Sequence, residues 1–329
     1  MIQKSNPKRI RWGIIGCGDV TEVKSGPAYQ KTDGFTITAV MRRSPDKVRD
    51  YAKRHGIEKY YTDADALIED SEVDAVYIAT PPDSHKQYGL KVAAAGKPCC
   101  IEKPLSPNYP DSLAIYEAFK AKELPLFVAY YRRSLPRFTQ VKEWLDNNEI
   151  GQVRHISSQL SQPPSVLDLS AKYNWRTDAN VAPGGYFDDL ASHGLNLFTY
   201  LLGDIREAFG VNFNQQRLYT AKDAIAACWC HEDNITGVGN WNFGSNAKED
   251  RVEIFGSSGE ITFSVFEERP ILLDNGSGKQ ELFIKHPENV QLPHVALMKE
   301  HLLEMSEHPS MGLAAVHTSW VMDRILGSI

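Results

Sequence analysis

The feature that most constrains this chain is a regular alternation of apolar, strand-like runs and helical segments across its first 130 residues. Arg9–Ile15 (RIRWGII) is apolar and β-branched and is broken by Gly16-Cys17-Gly18; Phe35–Met41 (FTITAVM) is the next such run. Ser44-Pro45 opens a helix, with serine as N-cap and proline in the first turn, and Gly56 closes it after His55. Tyr60-Tyr61 is a short extended piece, Asp63 caps a brief helix through Glu69, and Ala75–Thr80 is a buried strand. Pro81-Pro82 leads into a helix from Ser84 to Ala95, stopped by Gly96, and Cys99–Ile101 is a strand running into Glu102-Lys103-Pro104. A helix over Tyr109–Lys122 and a strand over Leu126–Ala129 complete the series. Strands that are apolar at consecutive positions are covered on both faces, the condition of a parallel sheet wrapped by helices. The rhythm therefore predicts a doubly wound parallel α/β sheet.

After residue 130 the texture changes. A helix over Pro136–Asn147 and a strand over Val153–Leu160 precede a long irregular stretch, residues 161–183, and a helix that ends at Gly203. From Ile205 to Ile284 the chain reads as successive strands joined by short turns, which predicts a large, mainly antiparallel open sheet. Helical segments near Pro293–His308 and Gly312–Ile325 close the sequence. A chain of 329 residues exceeds the ~250–300 at which single cores stop growing. The expected division is a dinucleotide-binding domain at 1–130 and a substrate-binding and oligomerisation α/β domain at 131–329.

The charge balance, 36 Lys+Arg against 42 Asp+Glu, builds no basic field of the kind nucleic-acid binding needs. Apolar runs such as Ala75–Ala79 fall far short of the ~18 residues that span a bilayer, so no membrane partner is expected. The basic N-terminus runs straight into a strand with no apolar signal segment, and the five cysteines cannot all pair. Cys99-Cys100 and Cys228/Cys230 lack zinc spacing and sit in apolar runs, which predicts buried free thiols, no metal and a cytoplasmic location.

Gly16-Cys17-Gly18-Asp19-Val20-Thr21 ends a strand and opens a helix, the setting in which backbone amides cradle a dinucleotide pyrophosphate. Thr21 stands where a third glycine is usual. Gly256-Ser257-Ser258-Gly259 has a similar spacing but joins two strand-like runs, and reads as a hairpin turn. The end of the second strand carries Arg42-Arg43 rather than an acid, with Lys47 one helical turn on. Guanidiniums there suit a 2′-phosphate, so NADP(H) is the preferred cofactor, with NAD(H) possible. Ligands of such sheets bind beyond the carboxyl ends of the strands, which adds Thr80-Pro81-Pro82 through His85 and Glu102-Lys103 to the same crevice. Lys103 is the lysine at such a strand end, and partial desolvation there would lower its ammonium pKa towards proton transfer. Later, Asp189 and His193 stand four apart after Pro183-Gly184-Gly185, so a helix puts both on one face. That pair reads as proton relay or as a structural hydrogen bond.

In their order and spacing these motifs, with Tyr130-Tyr131-Arg132-Arg133, resemble the Gfo/Idh/MocA oxidoreductase family across nearly the whole chain. The resemblance implies a Rossmann domain followed by an α/β domain whose open sheet often mediates homodimers or homotetramers. It implies Lys103, Asp189 and His193 as the catalytic group. Trp175-Arg176 looks like a pair that reaches the cofactor in some NADP-dependent members. Tyr130, Tyr131, Arg132 and His294 are candidate pocket walls. The implied activity is hydride transfer at a secondary alcohol or ketone of a sugar, polyol or cyclic diol. Two other outcomes known among relatives are redox-neutral glycoside hydrolysis with tightly held NAD and sugar sensing without turnover. Departures from the family pattern are Thr21, Pro183 where its first glycine often stands, and Asn196 where an aspartate often follows the histidine.

Overall fold

The computed structural model describes residues 9–170 and 172–329; the N-terminal basic residues 1–8 lie outside the described residues. Its contacts divide the chain into two compact units. The first holds residues up to 105 together with 113–131 and 287–312, and the second holds 106–112, 132–286 and 313–329. The helices in chain order are α1 (Asp19–Val23), α2 (Gly26–Lys31), α3 (Pro45–His55), α4 (Ala64–Glu69), α5 (His85–Ala94) and α6 (Tyr109–Lys120). They continue with α7 (Pro136–Asp146), α8 (Val166–Leu169), α9 (Ser192–Leu202), α10 (Leu292–Leu302) and α11 (Gly312–Leu326).

In the first unit, β1 (Ile10–Ile15), β2 (Phe35–Met41), β3 (Lys59–Tyr61), β4 (Ala75–Ile78), β5 (Cys99–Ile101) and β6 (Leu126–Val128) form one sheet. The order is β3-β2-β1-β4-β5-β6 and every pair is parallel. Every residue of β4, β5 and β6 is buried, as continuous apolar runs require. The strand order reverses between β1 and β4, and ligands of such sheets bind at that reversal. The caps lie where the sequence puts them. Pro45 sits in the first turn of α3, Gly56 ends it in the left-handed region at φ 65°, and the Asp63 carboxylate accepts the Ala66 amide at the start of α4. Val295 and Met298 of α10 complete the core built around Trp12, Tyr29, Tyr77 and Phe127.

The sequence reading places a single helix after Gly18; the structure has two, α1 and α2. The break comes from close packing. The Thr21 hydroxyl bonds back to the Gly18 carbonyl, and the Tyr51 hydroxyl donates to the Thr21 carbonyl. A Cβ on Gly26 would lie 2.1 Å from that same Thr21 oxygen. The close approach usually granted by a third glycine is met here by Gly26.

In the second unit, β7 (Val153–Ser161), β8 (Ile205–Phe213), β9 (Ala224–His231), β10 (Thr236–Asn242), β11 (Glu249–Gly256), β12 (Gly259–Phe263), β13 (Ile271–Asn275) and β14 (Gly278–Leu282) form an eight-stranded sheet. Its order is β14-β13-β12-β11-β7-β10-β9-β8, antiparallel throughout except for the parallel pair β7–β10. Ser257-Ser258 joins β11 to β12, so the second glycine pair is a hairpin turn. On the inner face Trp229 stacks on Phe198 of α9, and Trp241 meets Phe187 edge to face. On the outer face Phe209, Val211 and Phe213 of β8 are 54%, 59% and 59% exposed, and the exposed Val238 of β10 lies in line with Phe209 across Cys228 of β9. Cys228 faces outward with them, which corrects the expectation that it is buried; Cys17, Cys99 and Cys100 are buried free thiols. No helix among the described residues is long and apolar enough to cross a membrane.

Candidate active site

The first unit gathers its predicted residues at the carboxyl ends of β1, β2, β4 and β5. Gly16 turns the chain at φ 93°, and a Cβ there would meet Thr80 Cγ2 at 2.7 Å and the Ala79 carbonyl carbon at 2.9 Å. Only glycine fits this junction of β1 with the end of β4. The Gly16 and Cys17 amides donate to the Met41 carbonyl at 2.9 and 3.3 Å, tying the turn to β2. Beside Gly18 the space is open, since an added Cβ would meet only the Gly16 carbonyl oxygen, at 3.9 Å. In the first turn of α1 the Thr21 and Glu22 amides bond the Gly18 carbonyl at 3.0 and 3.1 Å, while those of Asp19 and Val20 precede the first intrahelical bond. Asp19 is exposed and Val20 partly buried at that turn. Arg42 stands at the end of β2, and its Nη1 donates to the Cys17 carbonyl at 3.0 Å, laying the guanidinium along the glycine turn. Arg43 and Lys47 are exposed on the same rim. A glycine turn with open space and a basic rim fits a dinucleotide.

On the other side of the reversal, Thr80 follows β4, Pro81 is exposed and Pro82 is buried. His85 is fully buried and faces two carbonyls through opposite ring nitrogens, Thr80 from Nε2 at 2.8 Å and Pro104 from Nδ1 at 3.0 Å. It ties the loop after β4 to the loop after β5, and burial pushes its pKa down. The Glu102 carboxylate accepts from the Tyr77 hydroxyl at 2.6 Å, the Gln291 amide at 3.0 Å and the Lys103 amide at 3.2 Å. Burial, with that carboxylate second, keeps the Tyr77 hydroxyl protonated far above its ordinary range. Three donors thus hold Glu102, and Glu102 holds the backbone of Lys103, which is partly buried and joined to Pro104 by a cis peptide bond.

The second unit brings Trp175, Arg176, Asp189 and His193 to one region. Phe187–Ala191 forms a single π-helical turn leading directly into α9, so Asp189 lies on the π turn and His193 in the first turn of α9. Gly185 has φ 65° and a Cβ there would come within 2.5 Å of the Lys222 carbonyl, which accounts for glycine before the turn. Arg176 Nε donates to Asp189 Oδ2 at 2.7 Å while its guanidinium lies 4.4 Å over the Trp175 ring. This pair fastens the irregular stretch to the π turn. His193 is buried and meets the Phe266 ring edge to face, with ring centroids 5.9 Å apart. Arg132 covers the same phenyl ring at 4.3 Å and donates to the Val265 carbonyl. Phe266 itself is held by Asp250, which accepts the amides of Val265, Phe266 and Glu267.

Arg133 is buried and donates to the Asn196 side chain and carbonyl and to Thr199, so Asn196 serves as an anchor for that arginine. Tyr130 is buried and Tyr131 partly buried, both in the first unit. His294, the remaining candidate pocket wall, lies in the first unit. It is fully buried on α10, its ring edge-on to His308 at 4.5 Å, and burial pushes its pKa well down. Sequence reasoning passed over Asp188, which is buried beside Asp189; the Asp-Asp dipeptide after two glycines was its only signal. Among the described residues no group of three His, Cys, Asp or Glu side chains is placed to hold a metal ion.

Comparison with known proteins matches this architecture. The family described as "Oxidoreductase family, NAD-binding Rossmann fold" (GFO_IDH_MocA) matches residues 10–130, and the "GFO/IDH/MocA C-terminal domain" matches residues 138–262. Oxidoreductase P35 of Formosa agariphila is 36% identical over 321 residues, covering 97% of this chain and 99% of that protein. Myo-inositol 2-dehydrogenase of Thermotoga maritima is 27% identical over 82% of this chain and 79% of its own length. Among solved structures, a levoglucosan dehydrogenase in complex with NADH and levoglucosan superposes with a TM-score of 0.86 at 21% identity, covering 98% of this chain and 97% of that one.

Proposed function

This chain belongs to the Gfo/Idh/MocA oxidoreductase family, with its NAD-binding Rossmann fold, and on that premise we propose that it is an NADP(H)-dependent enzyme acting on a secondary alcohol or ketone of a sugar, polyol or cyclic diol. The observation that carries the cofactor preference is Arg42. It stands where an NAD-specific site keeps an acid, its guanidinium is fixed along the glycine turn by the Cys17 carbonyl, and Arg43 lies exposed beside it. The substrate class is supported by the relative named for the cyclic polyol myo-inositol. A bound nicotinamide supplies the hydride donor or acceptor at its C4.

The chain's own residues handle the proton and the reacting oxygen. Lys103, its backbone held by Glu102, hydrogen-bonds the oxygen of the alcohol or ketone. His193 gives or takes the proton. Asp189, paired with Arg176, supplies negative charge four residues before that imidazole. Trp175-Arg176 borders the cofactor, Tyr131 and Arg132 border the substrate, and His85 acts through the two loops it joins. The exposed apolar strip of Phe209, Val211, Phe213 and Val238 suits a homodimer or homotetramer formed through the second sheet.

The test is to incubate the protein with NADPH or NADH and a panel of keto-sugars and inosose-type ketones, following absorbance. Consumption of NADPH with a higher kcat/KM than NADH is the expected result. Cleavage of aryl glycosides without net cofactor change would overturn it in favour of a hydrolase.

A further inference from the structure

Asp188 is buried, 5% exposed, yet it is not part of the proposed reacting group. Its Oδ2 accepts the Gly184 amide at 2.8 Å, bridging the entrance of the π turn to its second residue. The fit is tight on the other oxygen too, because a Cβ on Gly184 would lie 2.5 Å from Asp188 Oδ1. Glycine at 184 and aspartate at 188 therefore specify one another. A π turn carries one residue more than an α turn and occurs mostly as a single turn within a helix; here the Asp188–Gly184 bond ties its entrance to its second residue. The neighbouring Asp189 depends on that turn for its approach to Arg176, and His193 comes next at the start of α9.

We propose that Asp188 is a positioning residue whose buried carboxyl, bonded to the Gly184 amide, keeps the π turn closed and so fixes the segment on which Asp189 and His193 stand. The proposal rests on the reading of those two residues as part of the reacting group. Burial pushes the Asp188 carboxyl up to about 7, and the nearby carboxylates of Asp323 on α11 and Asp189 on its own turn push in the same direction. The Gly184 amide opposes them. Asp323 is itself raised by burial and accepts the Tyr109 amide, and Asp189 is paired with the Arg176 guanidinium. The turn is therefore closed around a protonated carboxyl on the acid side of neutrality, and ionisation above it sets three carboxylates close together.

These shifts give the pH effect its sign. The unfolded chain releases the aspartate proton near ~3.9 and the folded chain holds it to about 7. Folded protein thus binds the extra proton between these values. The stability this contributes is complete below ~4 and is lost as pH rises through 7.

The experiment compares wild type with Asp188→Asn, which keeps an acceptor for Gly184 without ionising, and Asp188→Ala, which removes the bond. Melting temperature, measured without substrate, should fall in wild type relative to Asp188→Asn between pH 5 and 8. Turnover of NADPH should lose at least about tenfold in kcat in Asp188→Ala with Kd for NADPH unchanged. Asp188→Asn should restore most of that loss, and its kcat should lack the wild-type inflection near pH 7. An Asp188→Asn melting profile parallel to wild type, or wild-type kcat in Asp188→Ala, overturns the proposal. If wild type itself turns over no ketone, the functional reading fails, and the melting comparison still decides the closed turn.

Discussion

The two sheets are built from similar residue types and present them in opposite ways. Strands β4, β5 and β6 are buried at every position, so that half of the first sheet has no free face, and what it offers a ligand lies in the loops beyond the strand ends. The second sheet alternates, with β10 buried at every other residue and Phe209, Val211 and Phe213 of β8 turned outward. A sheet covered on both faces offers a crevice at its ends, whereas a sheet covered on one face offers a surface. The comparison can be broken by substitutions: those beyond the strand ends of the first sheet should reach turnover and cofactor binding, and those on the open face of the second should reach association and little else.

The sharpest test of that separation is Lys103→Met. Lys103 lies beyond β5 and outside the core, so the sheet should be unaffected while proton transfer is lost. A drop of ~10²–10⁴-fold in kcat is expected, with NADPH Kd nearly unchanged. Steady-state kinetics and fluorescence titration check it, and a variant retaining more than about a tenth of wild-type kcat would remove Lys103 from the reaction.

Arg42→Asp probes the end of β2. A charge-assisted contact contributes roughly 1.5–3 kcal/mol, and ~1.4 kcal/mol is tenfold, so NADPH should bind at least about tenfold more weakly. NADH should improve relative to it, because a carboxylate accepts from a ribose hydroxyl. The pair of dissociation constants decides, and an unmoved preference would make Arg42 only a brace for the Cys17 carbonyl. Arg43 and Lys47, being exposed, should respond more weakly and more steeply to salt.

The smallest effect on a single molecule is expected at Val211→Glu, on the open face of β8. The side chain is exposed, so monomer stability should change by no more than ~0.5 kcal/mol. A homo-oligomer formed through this face should dissociate, read as a shift in mass by light scattering. An oligomer that withstands the change would place its interface elsewhere.

What could be read from the sequence is what short-range rules determine. The six strands of the first sheet, the caps of α3 and α4 and the β11–β12 turn come from apolar runs and from proline, glycine and aspartate at fixed offsets. Pairings made across long stretches of chain left no such mark. The parallel pairing of β7 with β10 joins strands on either side of the irregular stretch, α9, β8 and β9, and no local pattern announces it. The split between α1 and α2 depends on Gly26 meeting the Thr21 carbonyl, a contact invisible until the turn is built. At the site, glycines and strand ends pointed to Gly16, Thr80 and Lys103 because backbone geometry limits the residue there. The partners of Arg176 and Asp188 depend on side chains that only folding brings together. His294 is fully buried, and an imidazole in a helix looks the same from sequence whether it faces a cavity or a core.

Residues 287–312 belong to the first unit although the whole of 132–286 separates them from Tyr131. They bring Val295 and Met298 into its core, Gln291 to Glu102, and the Ser310 hydroxyl to the Val128 carbonyl. On a ribosome that adds about 5–20 residues per second, the first unit stays unfinished until residues 287–312 have followed the whole of 132–286. For roughly ten seconds or more at that rate, the underside of the growing sheet lacks its last helix and Glu102 lacks one of its donors. The unit whose strands are made first therefore waits for its last helix until every strand of the second sheet has been made, and the second unit in turn takes up residues 313–329.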